Sequence, residues 1–352
     1  MAREMRTWLL LFLICATAGV VAGCKNGSSG TSSPTPIPTQ SSRAGVDTLA
    51  FGDDFIVGIG TSSCGAPPSI ASGCSTSPGT PGVGTAVNPQ GWAQSLAGYI
   101  AATPRWQPAG YIGVGVTGAL SGDAPKPEGP GGDLLSNSGQ FGNLSNLAQT
   151  VRANNIKMLV LIQSGINDTL DAFYTQQCIS GGGTVTGGGG ADIASPCTAS
   201  GTTLAPGGNP RSGTLYAAFS TMLSDLNALA GGAPEATLIV GVPNLGQFPW
   251  CIANLTAAEC SALTADAQQA NAAIQDAIAD AADKNVAFAD WYAYFNSNPS
   301  YYTTAYYASD LLHLNNQGNA VLETLVQQTM LSAVSAGTFN MSSAVGPPQG
   351  AR

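Results

Sequence analysis

The chain has one histidine, and it stands three residues after a carboxylate, in Asp310-Leu311-Leu312-His313. An unperturbed imidazole titrates near neutrality, so it is the default proton carrier of hydrolytic chemistry. A carboxylate within reach orients the ring and stabilises its protonated form. Other stretches carry the groups that such chemistry also needs. Gly52-Asp53-Asp54 with Gly58 follows a short apolar run, and Gly113-Val114-Gly115 follows another. Ser164-Gly165-Ile166-Asn167-Asp168 supplies a side-chain amide after a third, and Pro243-Asn244-Leu245-Gly246 comes after a fourth. Glycine-exposed N–H groups and a side-chain amide can together hold a developing oxyanion.

These groups share a site only if the elements before them form one sheet. Strands are expected at 48–51, 111–116, 156–162, 237–242 and 286–289. Helical stripes lie between them: Trp92, Leu96 and Tyr99; Leu144, Leu147 and Val151; Leu215, Phe219, Met222 and Leu226. An alanine-rich helix is expected over 262–284 and a last one over 319–334. Apolar strands alternating with amphipathic helices predict a parallel sheet covered on both faces, an α/β chain of three α/β/α layers. Sites of such sheets lie beyond the carboxyl ends of the strands, which is where the groups above fall. Three Gly-, Pro-, Ser- and Thr-rich insertions, 61–90, 121–139 and 176–212, read as loops.

The first 23 residues read as an export signal, with Arg3 and Arg6 ahead of an apolar run at 8–21 that is too short to span a bilayer. Val21-Ala22-Gly23-Cys24 resembles a bacterial lipobox, which implies lipid on Cys24 and attachment to a membrane. Lys25 after it favours, by resemblance to lipoprotein sorting, an outer membrane where the cell has one. Residues 24–46 read as a flexible linker, 47–336 as one domain and 337–352 as a flexible tail. Removing Cys15 and Cys24 leaves six cysteines of the eight, which fall into local pairs: Cys64 with Cys74, Cys178 with Cys197, Cys251 with Cys260. Proximity suggests disulfides between them, as in an oxidising compartment. A net charge of −9 with 9% charged residues argues against nucleic acid as a partner.

Taken in order, the motifs resemble the SGNH (GDSL) hydrolase family over residues 47 to 336. The first block is Gly52-Asp53-Asp54 with Gly58, the second maps on Gly115, the third is Gly165-Ile166-Asn167-Asp168, and the last is Asp310 to His313 with Asn315 and Gly318. The resemblance implies a flavodoxin-like sheet and hydrolysis of acyl or acetyl esters of a lipid, a glycan or a small molecule. It implies that Asp310 orients His313, and that the N–H groups of 54 and 115 with the Asn167 amide form an oxyanion hole. No cofactor or metal is implied, and the expected form is a monomer.

One position departs from the family. Asp54 stands where the nucleophilic serine is usual, and Gly52, Asp53 and Gly58 keep the register. A carboxylate attacking an ester gives an adduct that expels the carboxylate again. The two leaving groups differ by about 12 pKa units, about 16 kcal/mol. Three readings remain open. Asp54 activates a water, or it attacks an alkyl carbon, or the chain binds its ligand without turnover. Gly113-Val114-Gly115-Val116-Thr117-Gly118 also fits a dinucleotide fingerprint, but prolines and glycines at 121–132 leave no helix to receive a pyrophosphate. The aromatic stretch 291–307 reads either as a wall for substrate or as loop packing.

Overall fold

The computed structural model describes residues 45–64, 91–115, 119–122, 134–135, 140–182, 202–281 and 284–341. The readings made for Cys24, the export signal, most of the linker and most of the three insertions lie outside the described residues.

Five strands form one parallel sheet: β1 (Val46–Gly52), β2 (Ala109–Gly113), β3 (Lys157–Gln163), β4 (Ala236–Val240) and β5 (Val286–Ala289). Their order is β2-β1-β3-β4-β5, the flavodoxin-like one. Helices α1 (Asp54–Val57), α2 (Trp92–Ala102) and α3 (Leu144–Ala153) belong to the first half. Helices α4 (Ile166–Ser180), α5 (Thr214–Asn227), α6 (Pro249–Asn254), α7 (Ala257–Ala281), α8 (Trp291–Asn296) and α9 (Asn316–Ser335) follow. Right-handed crossovers require a helix on one face when the chain moves from β1 to β2, and on the other as it steps on to β5. Accordingly α2 and α9 pack together, and α4 and α5 both pack on α7. The expected three-layer α/β/α arrangement is the one observed.

The strands form where continuous apolar runs allow burial on both faces. Every residue of β3 is buried, including Lys157 at its start and Gln163 at its end. β2 starts at Ala109, two residues before its expected start, and runs to Gly113, with Val114 N–H bonded to the Ala50 carbonyl; residue 116 of the expected strand lies outside the described residues. The alanine-rich helix begins five residues before its expected start. Thr256 and Glu259 form a reciprocal cap there, with Thr256 N–H donating to Glu259 and Glu259 N–H to the Thr256 hydroxyl. Helix α4 corrects the expected loop from 176, since it continues to Ser180. Its apolar stripe, Ile166, Leu170, Phe173, Tyr174 and Cys178, is legible in the sequence at helical spacing.

The reading of 337–352 as a flexible tail needs correction over 337–341, and the rest of that segment lies outside the described residues. Phe339 and Met341 are buried, and Asn340 N–H donates to the Glu235 carbonyl. The buried Lys157 Nζ donates to the Asn340 carbonyl at 2.9 Å. A short run with only two apolar side chains carries little periodic signal, yet both reach the core at the amino end of the sheet. Two buried side chains of this size contribute roughly 1.5–3 kcal/mol each. Truncation after Gly337 is therefore expected to lower unfolding stability by about 3–6 kcal/mol, read as a lower denaturant midpoint. An unchanged midpoint would show the segment to be dispensable.

Candidate active site

The site starts where β1 ends. The buried Gln140 clasps Gly52 from both sides: its Nε2 donates to the Gly52 carbonyl at 2.8 Å, and Gly52 N–H donates to its Oε1 at 2.7 Å. A side chain at Gly52 would meet the Gln163 carbonyl at 2.0 Å, so the strand can turn here only as glycine. Asp53 then caps α1, accepting from Phe55 N–H at 3.1 Å. Its own burial, with Asp54 and Asp168 nearby, holds its carboxyl well above the usual range. Asp54 is the first residue of α1 and is half-buried.

Asn167 reaches the same point from the next strand. Gly165 turns out of β3 with φ +106, and Asn167 is the second residue of α4. Its Nδ2 donates to Asp54 Oδ2 at 3.1 Å and to the Ala119 carbonyl at 3.2 Å. Both amide hydrogens are thereby used. The Ala119 carbonyl is held in turn by a buried network. Asp168 accepts from Ser121 N–H and from Ser121 Oγ at 2.9 Å, and Ser121 Oγ lies 2.7 Å from Ser164 Oγ. Gly115 packs against α1 so closely that a Cβ would lie 2.3 Å from Ile56 Cγ2.

Asp310 and His313 come from the turn after α8. His313 Nδ1 and Asp310 Oδ2 are 2.6 Å apart, while Asp310 Oδ1 accepts from His313 N–H at 3.0 Å and Leu312 N–H at 3.1 Å. The ring lies 5.3 Å from Phe55 of α1, centroid to centroid, and a Cβ at Gly60 would lie 2.8 Å from His313 Cβ. Burial alone would lower the His313 pKa. The bond to Asp310 and the negative charges of Asp54 and Asp310 outweigh it and hold the imidazole above its ordinary value. For Asp310, burial works upward, but the bond to His313, its positive charge and the two N–H groups prevail, so the carboxyl lies below its usual range. Asp54, Asn167, Asp310, His313 and Gly115 thus meet beyond the carboxyl ends of β1, β2 and β3.

Gln140, Gln163, Ser121 and Ser164 support this site without having been singled out in the sequence. Buried glutamines and serines have no local signature, because what they bond to is distant in the chain. Ser62, the nearest serine after Asp54 in this loop, is exposed and bonded to Asn316. The aromatic stretch spends its ring faces on itself: Phe295 packs on Trp291, Tyr301 and Tyr302, and Tyr301 on Tyr294 and Tyr306. That favours the packing reading over a wall for substrate. Among the described residues no group of three His, Cys, Asp or Glu side chains is arranged to hold a metal.

The opposed shifts set a pH window. His313 is raised, so its contribution to stability is complete below the unfolded imidazole pKa and is lost as pH rises through the folded one. Asp310 is lowered, so its contribution is present above the unfolded carboxylate pKa and is lost as pH falls through the folded one. The stability gap between the native chain and Asp310→Asn should therefore be widest between about pH 4 and 6.5 and narrow on both sides. Denaturant midpoints across pH measure it. The lone imidazole should titrate above ~6.5 by NMR, and Asp310→Asn should lower that value.

No family model and no curated protein sequence matches the chain. Solved structures similar to it include an extracellular lipase from Streptomyces rimosus, at 17% identity and a TM-score of 0.46, covering 81% of this chain and 99% of that one. Another is the aryl esterase of M. smegmatis, at 15% identity and a TM-score of 0.42, covering 81% and 98%. A carbohydrate acetylesterase from Sinorhizobium meliloti is similar at 14% identity and a TM-score of 0.42, covering 81% and 98%.

Proposed function

We propose that the chain is an ester hydrolase of the SGNH/GDSL type, lipid-anchored at the cell envelope through Cys24, in which Asp54 replaces the nucleophilic serine. The observation that carries this reading is the bond from Asn167 Nδ2 to Asp54 Oδ2 at 3.1 Å, beside an imidazole that feels the Asp54 charge.

A carboxylate next to a protonated imidazole suits a division of labour. Asp54 takes a proton from water, and that water attacks the ester carbonyl. The N–H groups of Asp54 and Gly115 and the Asn167 amide stabilise the oxyanion, each such donor being worth about 10²–10³ in rate. His313 gives its proton to the departing alkoxide, and Asp310 keeps the ring oriented. No acyl-enzyme forms.

The same hydrogen bond favours a second reading. Asn167 has one amide hydrogen on Ala119 and the other on Asp54, so a substrate oxygen can take the second only when Asp54 moves away. A protein that keeps its oxyanion donor occupied by its own carboxylate is also suited to bind a ligand without turnover.

Two variants separate these readings. Asp54→Ser is expected to raise hydrolysis of a short p-nitrophenyl ester by about tenfold or more, since the hydroxyl restores acyl transfer. The native rate should fall as pH rises through the His313 pKa, because the imidazole must be protonated. In Asp54→Ser it should rise over the same range, because the imidazole must then be free to accept a proton. No native turnover on acyl, acetyl-sugar or alkyl-halide substrates, with a gain in Asp54→Ser, would establish the binding reading. Cys24→Ala is expected to move the protein from the membrane fraction to the soluble one.

A further inference from the structure

The turn that carries Asp310 and His313 holds a strained residue. Leu311 has φ 63, one of two non-glycine residues with positive φ among the described residues. The left-handed conformation is unfavourable for a residue with a side chain. Inside the turn the backbone bonds close on themselves: Leu311 N–H donates to Ala308, Ala308 N–H to His313, and Tyr307 pairs with Leu314. The left-handed twist turns the Leu311 carbonyl towards α6, where Trp250 N–H donates to it at 3.0 Å.

That donor sits on a helix that cannot hold itself. α6 has six residues, too few for its own hydrogen bonds to fix it. The neighbour of Trp250, Cys251, is bonded to Cys260 in the first turn of α7. The start of α7 is itself fixed, by the Thr256–Glu259 cap and by Gln177 Nε2 of α4 donating to Glu259 at 2.9 Å. Phe248, just before α6, stacks edge-on against Tyr307 at 4.9 Å.

We propose that the Cys251–Cys260 disulfide and the Trp250 N–H form a staple that holds the Asp310–His313 turn in its working shape, making Trp250, Cys251 and Cys260 positioning residues for the site. The inference rests on the reading of Asp310 and His313 as the working pair. Without the anchor, α6 loses its fixed place and the Leu311 carbonyl loses its partner. The left-handed residue can then relax, and Asp310 Oδ1 loses the Leu312 and His313 N–H groups that aim the carboxylate at the ring. The charged groups facing the imidazole are Asp310 and Asp54.

The single histidine makes the test direct, because every imidazole signal belongs to His313. The full chain is compared with Cys251→Ala/Cys260→Ala and with the triple variant that adds Leu311→Gly. The double variant is expected to lose the low-field Nδ1 proton resonance, and its imidazole pKa should fall by about 0.5 unit or more. Leu311→Gly should restore both, because glycine adopts φ 63 without strain. A folded double variant with the native resonance and titration overturns the staple. Absence of rescue by Leu311→Gly also overturns it, since general loosening would not depend on that residue. Should the double variant not fold, Trp250→Pro, which removes the N–H, is set against Trp250→Ala, which keeps it. Only the proline variant should shift His313, and equal titrations overturn the proposal. A native chain that hydrolyses no ester but whose His313 responds as described keeps the staple and rejects the hydrolase reading, so the two failures are separable.

Discussion

One buried imidazole between two carboxylates organises this molecule. Taking charge out of water is costly unless it is paired and hydrogen-bonded. His313 is buried, and its ring is bonded to Asp310 at 2.6 Å with Asp54 close enough to act on it. Burial and pairing pull the ring in opposite directions, and pairing prevails. Asp54 is in turn tied to the Asn167 amide, so the charge at the top of the sheet is shared among three elements distant in sequence. Each depends on the others for compensation, and that dependence turns separate strand ends into a single site.

The sheet makes the meeting possible. In the order β2-β1-β3-β4-β5 the strand carrying Asp54 lies between the strand leading to Gly115 and the strand leading to Asn167. Parallel strands deliver all three at one edge. The supporting bonds are mostly to backbone: Gln140 to Gly52, Asp168 to Ser121, Asp310 to two N–H groups, Trp250 to Leu311. Such bonds fix the position of a side chain by fixing the chain beneath it, and they allow the site residue itself to change. The turn before Asp54 is held by Gln140 on Gly52 and by the Asp53 cap.

In the proposed function, the carboxylate at position 54 changes the chemistry expected of the site. A serine beside His313 would use a neutral ring as its base. A carboxylate there favours the charged ring, and a charged ring can only give a proton. In the proposed function, His313 therefore gives a proton and Asp54 accepts one.

Much of this was legible before any fold was known. Alternating apolar runs and amphipathic stripes specify a covered parallel sheet, since period and burial are local consequences of residue type. The place of the single histidine after Asp310, and of Asn167 after the strongest strand, follows from the same reading. Helix α4 is not among the expected elements, although its stripe from Ile166 to Cys178 is present in the sequence at helical spacing. The burial of Phe339 and Met341, the clasp of Gln140 on Gly52 and the left-handed turn at Leu311 were not legible at all. The sequence alone determined which groups are available and which strand ends carry them, because those depend on residue type and local pattern. Only the tertiary structure decided that the Asn167 amide is spent on Asp54 and that two carboxylates share one ring. Hydrogen bonds and charge compensation act between residues more than a hundred positions apart, and no local pattern records them.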